Sequence, residues 1–87
     1  MKPLTQLQKA LEQQNVTIGT NETIRNLKAG NAATVYLAEN AEQSVKEDIQ
    51  HYAKVTDTDV EQLNIANDEL GTICKKPFNI QVVSVNG

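Results

Sequence analysis

The chain has 87 residues, which is enough for one domain with one core but not for two. Apolar residues make up 39% of the chain and aromatic residues only 3%, so the core must be built mainly from aliphatic side chains. The net charge of −3 argues against binding nucleic acid by bulk attraction, and the single cysteine excludes an internal disulfide. We find no apolar run of the ~20 residues that a membrane span needs and no secretion signal at the first residues, and therefore expect a cytoplasmic protein.

The elements predicted in the first half of the chain alternate between helix and strand. Apolar residues at helical spacing between positions 4 and 11 predict a first helix that begins near Pro3 or Thr5 and ends near Gln14. Residues 16–18 form a short β-rich run. A second helix is predicted to start at Thr20 as its N-cap and to stop at Gly30. Residues 34–38 are a nearly all-apolar strand, typical of one covered on both faces.

The second half continues the alternation. A longer helix is predicted at about 43–55, a third strand at 60–65, a short helix at 67–74 and a β-branched closing strand at 80–85. Strands that alternate with helices predict an α/β fold, here a three-layer α/β/α sandwich with a four-stranded mixed sheet. We find no internal repeat or linker, so residues 1–87 are expected to form a single domain.

Catalytic patterns are absent from the sequence. One histidine and one cysteine occur, without a serine-centred elbow, a cysteine pair or a glycine-rich phosphate loop. His51 is interpreted as a solvated or half-buried helix residue and Cys74 as a buried core filler, because nothing supplies a general base. The acidic residues of 42–70 lack the spacing of a calcium loop. We therefore expect no enzyme, no catalytic residue, no metal and no cofactor.

The charges are distributed unevenly along the chain. Residues 42–70 contain eight acidic residues and only two basic ones, Lys46 and Lys54, whereas residues 71–87 contain two lysines and no acid. Residues 1–41 are close to balanced. A polyanion could therefore still bind a surface made from the two ends of the chain, and the acidic middle could instead dock a basic partner protein.

The segment from Gly19 to Arg25 contains the groups best suited to bind a nucleic acid. A glycine before a helix allows close approach of another backbone, and the helix start offers free N–H groups to a phosphate. Asn21 supplies a donor and an acceptor, Glu22 supplies acceptors and Arg25 supplies five donors, so together they can contact base edges and a phosphate. The alternative is simple helix capping, with Glu22 favoured by the helix dipole and Arg25 in solvent.

Two further junctions between strands and helices could share an edge with this segment. Asn40 follows the second strand, and residues 75–79 connect the last helix to the last strand. In that connection two lysines come directly before Pro77 and Phe78, and a loop aromatic beside cations is suited to stacking on an unpaired base. The alternative places Phe78 under the sheet as an ordinary core residue.

These stretches resemble the large-subunit ribosomal protein thirty family of archaea and eukaryotes, within the superfamily of kink-turn RNA-binding proteins. The most specific set is Tyr52-Ala53 after a helix of mixed charge, followed by the Glu-Leu-Gly-Thr of 69–72 and the Lys-Pro-Phe of 76–78. The resemblance extends from Gly19 to Val85 in order and spacing. The matching positions are 19–20, 23–25, 27–30, 38, 40–41, 45–54, 67–72 and 76–78.

The chain departs from that family at positions that help to choose the RNA. The family usually has Lys where Asn21 stands and Gln or Ser where Glu22 stands. The Asn-Glu pair is similar instead to a sibling branch of kink-turn binders, found in archaeal ribosomes and small guide-RNA particles. Arg25 replaces a lysine, and Lys75 replaces a glycine. The bound RNA is therefore left open.

The resemblance implies a structural protein of the large ribosomal subunit that binds a kink-turn or related bent internal loop in rRNA. Its partner would be RNA, neighbouring ribosomal proteins could contact it, no membrane is involved, and we expect a monomer when it is free. The alternatives are a free-standing kink-turn-binding protein or RNA-structure regulator outside the ribosome, a protein-interaction module and, least favoured, a small hydrolase. The expected RNA-binding residues are Gly19, Thr20, Asn21, Glu22, Arg25, Lys28, Asn40, Lys75, Lys76, Pro77 and Phe78.

Overall fold

Helices and strands alternate along the chain in the predicted order. A computed structural model describes residues 3–86, with the backbone alone at residues 3 and 4, and contains four helices and four strands in that range. In chain order they are α1 (Pro3–Glu12), β1 (Val16–Ile18), α2 (Thr20–Ala29), β2 (Ala32–Leu37), α3 (Gln43–Thr56), β3 (Asp59–Gln62), α4 (Asn67–Ile73) and β4 (Val82–Asn86).

The four strands form one mixed sheet in the order β1-β4-β2-β3. The closing strand β4 lies between β1 and β2 and is antiparallel to both, whereas β2 and β3 are parallel. Val83 pairs with Ile18 on one side and with Tyr36 on the other. The expected four-stranded mixed sheet is confirmed, and its two ends in sequence, β1 and β4, lie side by side.

Helices cover both faces of the sheet, as expected for a three-layer sandwich. Alternate residues of a strand point to opposite faces, so β2 and β4 contribute to two separate cores. Beneath α2 and α3 the core consists of Leu27, Val35, Leu37, Ile49, Ala53 and Val82. Beneath α1 and α4 it consists of Leu7, Tyr36, Ala38, Leu63, Leu70, Cys74, Ile80 and Val83.

The start of α2 differs from the prediction. Thr20 is the first residue of the helix, and Gly19 occupies the N-cap position with no side-chain hydrogen bond to the helix. The reason is the backbone of Gly19, which has φ 106° and ψ 156°, a conformation that only glycine adopts readily. The Gly19 N–H donates to the carbonyl of Val82 at 3.1 Å while its own carbonyl accepts from Thr23 N–H at 3.0 Å. Gly19 thereby joins β4 directly to the first turn of α2.

Other boundaries differ by one to three residues, among them the ends of α1 and β3. The helix α1 ends at Glu12 instead of Gln14, because Gln14 adopts a left-handed conformation with φ 56°. The strand β3 ends at Gln62 instead of residue 65, because Gln62 pairs with Leu37, the last residue of β2, and no partner strand continues beyond it.

A polar cluster fastens α2 to the sheet. Asn26 Nδ2 donates to Thr17 Oγ1 at 2.7 Å and to Asn86 Oδ1 at 3.0 Å, and Thr17 Oγ1 donates to Asn86 Oδ1 at 3.1 Å. Nearby on the same helix, Thr23 is fully buried and its hydroxyl has no hydrogen-bond partner. The cluster fixes α2 against β1 and β4, the two strands beside the first candidate segment.

No helix within residues 3–86 is both long enough and apolar enough to cross a membrane.

Candidate nucleic-acid interface

The junction between β1 and α2 presents an exposed helix start. Because the first N–H groups of a helix have no partner within it, the first turn of α2 offers backbone donors and the positive end of the helix dipole. Asn21 and Glu22 lie in this first turn and are both exposed. Glu22 Oε1 accepts from Arg25 Nη1 at 3.3 Å, one turn further along the same helix. An amide, a carboxylate and a guanidinium group are thus presented together on the exposed start of α2.

The connection between α4 and β4 projects its aromatic ring into solvent. Lys75 adopts a left-handed conformation with φ 60°, which turns the chain sharply after Cys74. Lys76, Pro77 and Phe78 that follow are all exposed, and Phe78 is 57% exposed. The alternative in which Phe78 is a core residue is therefore wrong. The small aliphatic core beneath α1 and α4 is filled by Leu70, Cys74 and Ile80 without it.

These two junctions line one open groove of about 410 Å³ at the edge of the sheet. Apolar residues of β1 and the residues just before β4 line it, together with a lysine and the exposed aromatic ring. The lining residues are Val16, Ile18, Gly19, Thr20, Lys76, Phe78, Asn79, Ile80 and Gln81. This volume, open on one side and mostly uncharged, is suited to a flat unpaired base.

The third junction reaches the same groove through Gln81. The Gln81 carbonyl accepts from Ala38 N–H at 2.8 Å, and its side-chain Oε1 accepts from Glu42 N–H at 2.8 Å. The loop that contains Asn40 is therefore fastened to a residue that lines the groove. The structure brings the 19–25, 39–41 and 75–79 segments to one edge of the sandwich, which is what a single ligand contacting all three would require.

Asn40 is already engaged within the protein. Its Oδ1 accepts from Asn67 N–H at 2.8 Å, at the first residue of α4, and its Nδ2 donates to Asn67 Oδ1 at 3.3 Å. Its side chain thereby caps the helix α4 from a neighbouring loop. One Nδ2 hydrogen is still available to a ligand, since a primary amide carries two.

Two of the expected basic residues lie outside the groove. Lys28 Nζ is 5.0 Å from the centroid of the Tyr52 ring, so this lysine is directed towards α3. Lys75 lines a separate depression between α1 and α4, together with Gln8 and Glu12. Of the cations named from the sequence, Lys76 lines the groove itself and Arg25 lies on the adjoining turn of α2.

Comparison with known proteins identifies the family. The model of the family described as Ribosomal protein L7Ae/L30e/S12e/Gadd45 matches residues 1–87. The chain belongs to this family. Among its relatives, the large ribosomal subunit protein eL30 of Methanococcus vannielii is 40% identical over 76 residues, covering 87% of this chain and 72% of the relative. The eL30 of Sulfurisphaera tokodaii is 37% identical over 81 residues, covering 93% and 76%.

Solved structures share the fold of this L7Ae/L30e-family chain. A protein with unknown function from Bacillus halodurans superposes with a TM-score of 0.83 at 17% identity, over 93% of this chain and 80% of that one. The 15.5kD RNA binding protein of Giardia lamblia superposes with a TM-score of 0.73 at 20% identity, over 92% and 67%. The resemblance noted in the sequence is confirmed, and so is the expectation of a non-catalytic protein, because the relatives are structural proteins of the ribosome.

The reactive groups of this family member lie in structural positions. Cys74 is buried, as predicted, and burial raises the pKa of its thiol, an effect that the nearby Lys76 partly opposes. Burial also raises the pKa of the Tyr36 hydroxyl, and the negative charge of Glu61 adds to the increase. His51 is exposed on α3 and packs edge-on against Tyr52. Within the described range, no cluster of histidine, cysteine and acidic residues could hold a metal ion.

Several groove residues were not predicted from the sequence. Gln81 and Asn79 line the groove, and Asn67 supports it through Asn40. Position in the sequence was the available indication for Asn79 and Gln81, because both come shortly before the closing strand and next to the exposed loop. Val16 and Ile18 were interpreted only as a strand, and alternation alone does not say that β1 lies at an edge of the sheet with side chains left half-exposed.

Proposed function

We propose that this protein is a structural RNA-binding component of the large ribosomal subunit in the cytoplasm, and that it recognises a kink-turn or a related bent internal loop. The observation that carries the proposal is the single edge at which the helix start of α2, the Asn40 loop and the exposed Phe78 loop come together. The names of the eL30 relatives support the ribosomal role. In this proposal the whole chain acts as one RNA-binding domain and is monomeric when free.

Asn21 and Glu22 would contact bases. A kink-turn is sharply folded and presents sheared G·A pairs next to an extruded nucleotide. An ionised carboxylate is an acceptor only, so Glu22 would accept hydrogen bonds from guanine N–H groups, while Asn21 can donate to and accept from neighbouring base edges. Both side chains are exposed at the start of α2, where no other protein group has to be displaced except the weakly held partner Arg25.

The groove would hold the extruded nucleotide. Phe78 offers a ring face for stacking, Lys76 offers a charge for the adjoining phosphate, and Pro77 keeps the loop between them short and stiff. Gly19 and Thr20 form the opposite wall, where the absence of a side chain at Gly19 lets the RNA backbone approach the helix start closely.

The remaining cations would contribute to affinity rather than to base selection. Arg25 lies one turn after Glu22 and can turn from that carboxylate to a phosphate at small cost, because both side chains of the pair are more than half exposed. Lys28 and Lys75 lie outside the groove and would contact flanking phosphates, and Asn40 would donate its free amide hydrogen to the RNA backbone. Such contacts fix the orientation of the RNA without reading its sequence.

The experiment is a titration of the protein against a kinked RNA that contains sheared G·A pairs and against a straight duplex of matched length. We expect a clear preference for the kinked RNA. We also expect Glu22→Ala to reduce that affinity by roughly 5- to 150-fold, which corresponds to the ~1–3 kcal/mol of one base contact. Glu47→Ala, which removes an equivalent charge from an exposed position of α3, is the matched control. Equal binding of both RNAs by the wild type would refute the proposal.

A second candidate is a free-standing kink-turn-binding protein or RNA-structure regulator outside the ribosome. It is favoured by the Asn21–Glu22 pair, which is similar to the sibling branch of the superfamily, and by the net charge of −3. The two candidates differ in where the protein is found. If it is a ribosomal component, it should remain in large subunits washed with high salt, whereas a free-standing protein should be recovered apart from them.

A further inference from the structure

We propose that Gly71, in the middle of α4, is a positioning residue that fixes the Phe78 loop, residues 76–79, for RNA binding. The proposal rests on the function proposed above, because the position of this loop matters to RNA only if the groove binds it. Gly71 is buried, touches no solvent-facing part of the groove and would not contact the ligand. Its effect would be transmitted entirely through the backbone of Phe78.

The structure leaves no room for a side chain at Gly71. A Cβ built on this residue would overlap the carbonyl oxygen of Phe78, far inside van der Waals contact, and would lie 3.2 Å from the Phe78 carbonyl carbon and 3.5 Å from Asn79 Cα. All three are backbone atoms, so no side-chain rotation could relieve the overlap. Any larger residue at this position must push the loop away from α4.

The glycine is not explained by the local conformation of the helix. Gly19 and Gly30 have positive φ, whereas Gly71 is helical and could be replaced by another residue on backbone grounds alone. A glycine inside a helix costs about 0.5–1 kcal/mol relative to alanine, and α4 has only 7 residues. The close approach of the loop is the feature that a residue without a side chain permits here.

Hydrogen bonds hold the loop at both ends, and the absence of a side chain at Gly71 lets the middle of the loop lie against α4. Before the loop, the Gly71 carbonyl accepts from Lys76 N–H at 2.9 Å. After it, the Asn67 carbonyl accepts from Ile80 N–H at 3.0 Å, and Asn67 is in turn held by Asn40. The backbone of Phe78 is therefore fixed against α4 although its ring is exposed. A loop backbone held in place before binding loses little conformational freedom when a base stacks on the ring that it carries.

This arrangement predicts that Gly71→Ala acts through Phe78. The added methyl group displaces the Phe78 carbonyl, and the ring no longer lies over the groove. We expect the affinity for kinked RNA to fall by roughly 5- to 150-fold, the factor expected for loss of one stacked base. Because both changes remove the same contact, the double variant Gly71→Ala/Phe78→Ala should bind no more weakly than Phe78→Ala alone. A merely structural defect at Gly71 would instead add to the loss at Phe78.

The experiment combines this double-mutant cycle with amide NMR spectra of the free proteins. Glu69→Gln is the matched control, since Glu69 lies on the same helix two residues before Gly71, is exposed and lines neither the groove nor the depression beside the loop. We expect Gly71→Ala to shift the amide signals of residues 76–79 and to leave those of α2 and α3 in place. Glu69→Gln should preserve the loop signals and should not weaken binding.

The outcomes separate this proposal from the proposed function. Wild-type affinity in Gly71→Ala, or additive losses in the cycle, would overturn the positioning role. If the wild type does not prefer kinked RNA, the proposed function fails, and unshifted amides of 76–79 in Gly71→Ala would still overturn the positioning role independently. Should Gly71→Ala not fold, Pro77→Gly is added, because a glycine at position 77 makes the loop backbone flexible enough to move away from the methyl group. That folded variant must bind RNA more weakly than Pro77→Gly alone.

Discussion

Truncation of Phe78 should weaken RNA binding while changing the stability of the fold little. A buried phenylalanine replaced by alanine costs about 3–5 kcal/mol of stability. Phe78 is 57% exposed, so less than half of its surface is removed from water, and the cost should be under about 1.5 kcal/mol. Stacking of one base on the ring is worth about 1–3 kcal/mol, so Kd for kinked RNA should rise roughly 5- to 150-fold.

The two quantities are measured on the same samples. Chemical denaturation gives the free energy of unfolding, and a fluorescence-anisotropy titration with labelled kinked RNA gives Kd. Val55→Ala is the control, because Val55 is 72% exposed on α3 and does not line the groove. It should change neither quantity appreciably. A large loss of stability with unchanged affinity in Phe78→Ala would refute the interpretation of Phe78 as a ligand-facing ring.

Further predictions concern charge, a buried hydroxyl and alkaline pH. Arg25→Ala should flatten the dependence of log K on log salt by about 1, as expected for one lost phosphate contact, and an unchanged slope would exclude that contact. Thr23→Val removes the unpartnered buried hydroxyl and should raise the free energy of unfolding by about 1 kcal/mol, whereas Thr17→Val breaks the bonds to Asn26 and Asn86 and should lower it. Burial raises the pKa of the Cys74 thiol, so the stability that the protonated thiol contributes is full below the ordinary thiol pKa and is lost as the pH rises through the folded-state pKa. Cys74→Ala should therefore flatten the alkaline decline in the free energy of unfolding, measured by denaturation at a series of pH values.

The sheet order separates part of the acidic charge from the groove. In the order β1-β4-β2-β3, the groove lies against β1 and β4, whereas β3, with Asp59 and Glu61, forms the opposite edge. Solvent and salt screen charges beyond roughly 10 Å, so these two acids repel a bound phosphate only weakly. Asp68, in contrast, lies beside Lys76 and Phe78.

The periodic parts of the chain were predictable because burial imposes them directly. The apolar run that became β2 is covered on both faces, and the stripe on α3 that contains Ile49 and Ala53 packs on one core. Each of these patterns follows from which side chains must leave water. The order of elements and the layers of the sandwich follow from the same patterns.

The parts that depend on backbone contacts between distant residues were not predictable. The N-cap at Gly19 is set by its bond to Val82, and the space at Gly71 is taken by the carbonyl of Phe78. The residues that surround Gly19 and Gly71 in the sequence do not indicate that Val82 and Phe78 are their contact partners. The direction of Lys28 towards Tyr52 likewise depends on how α2 crosses α3, which composition and periodicity do not specify. The resemblance to known RNA binders indicated candidate segments but not how each side chain in them is held.

If three junctions distant in sequence form one RNA-binding edge, an NMR titration should detect all three at once. Kinked RNA is added to labelled protein, and amide shifts are followed along the chain. We expect shifts and line broadening to concentrate at residues 19–25, at 39–41 and at 76–81, with β3 and the exposed face of α3 unaffected. Perturbations confined to one junction, or centred on the acidic residues of α3 and β3, would contradict it.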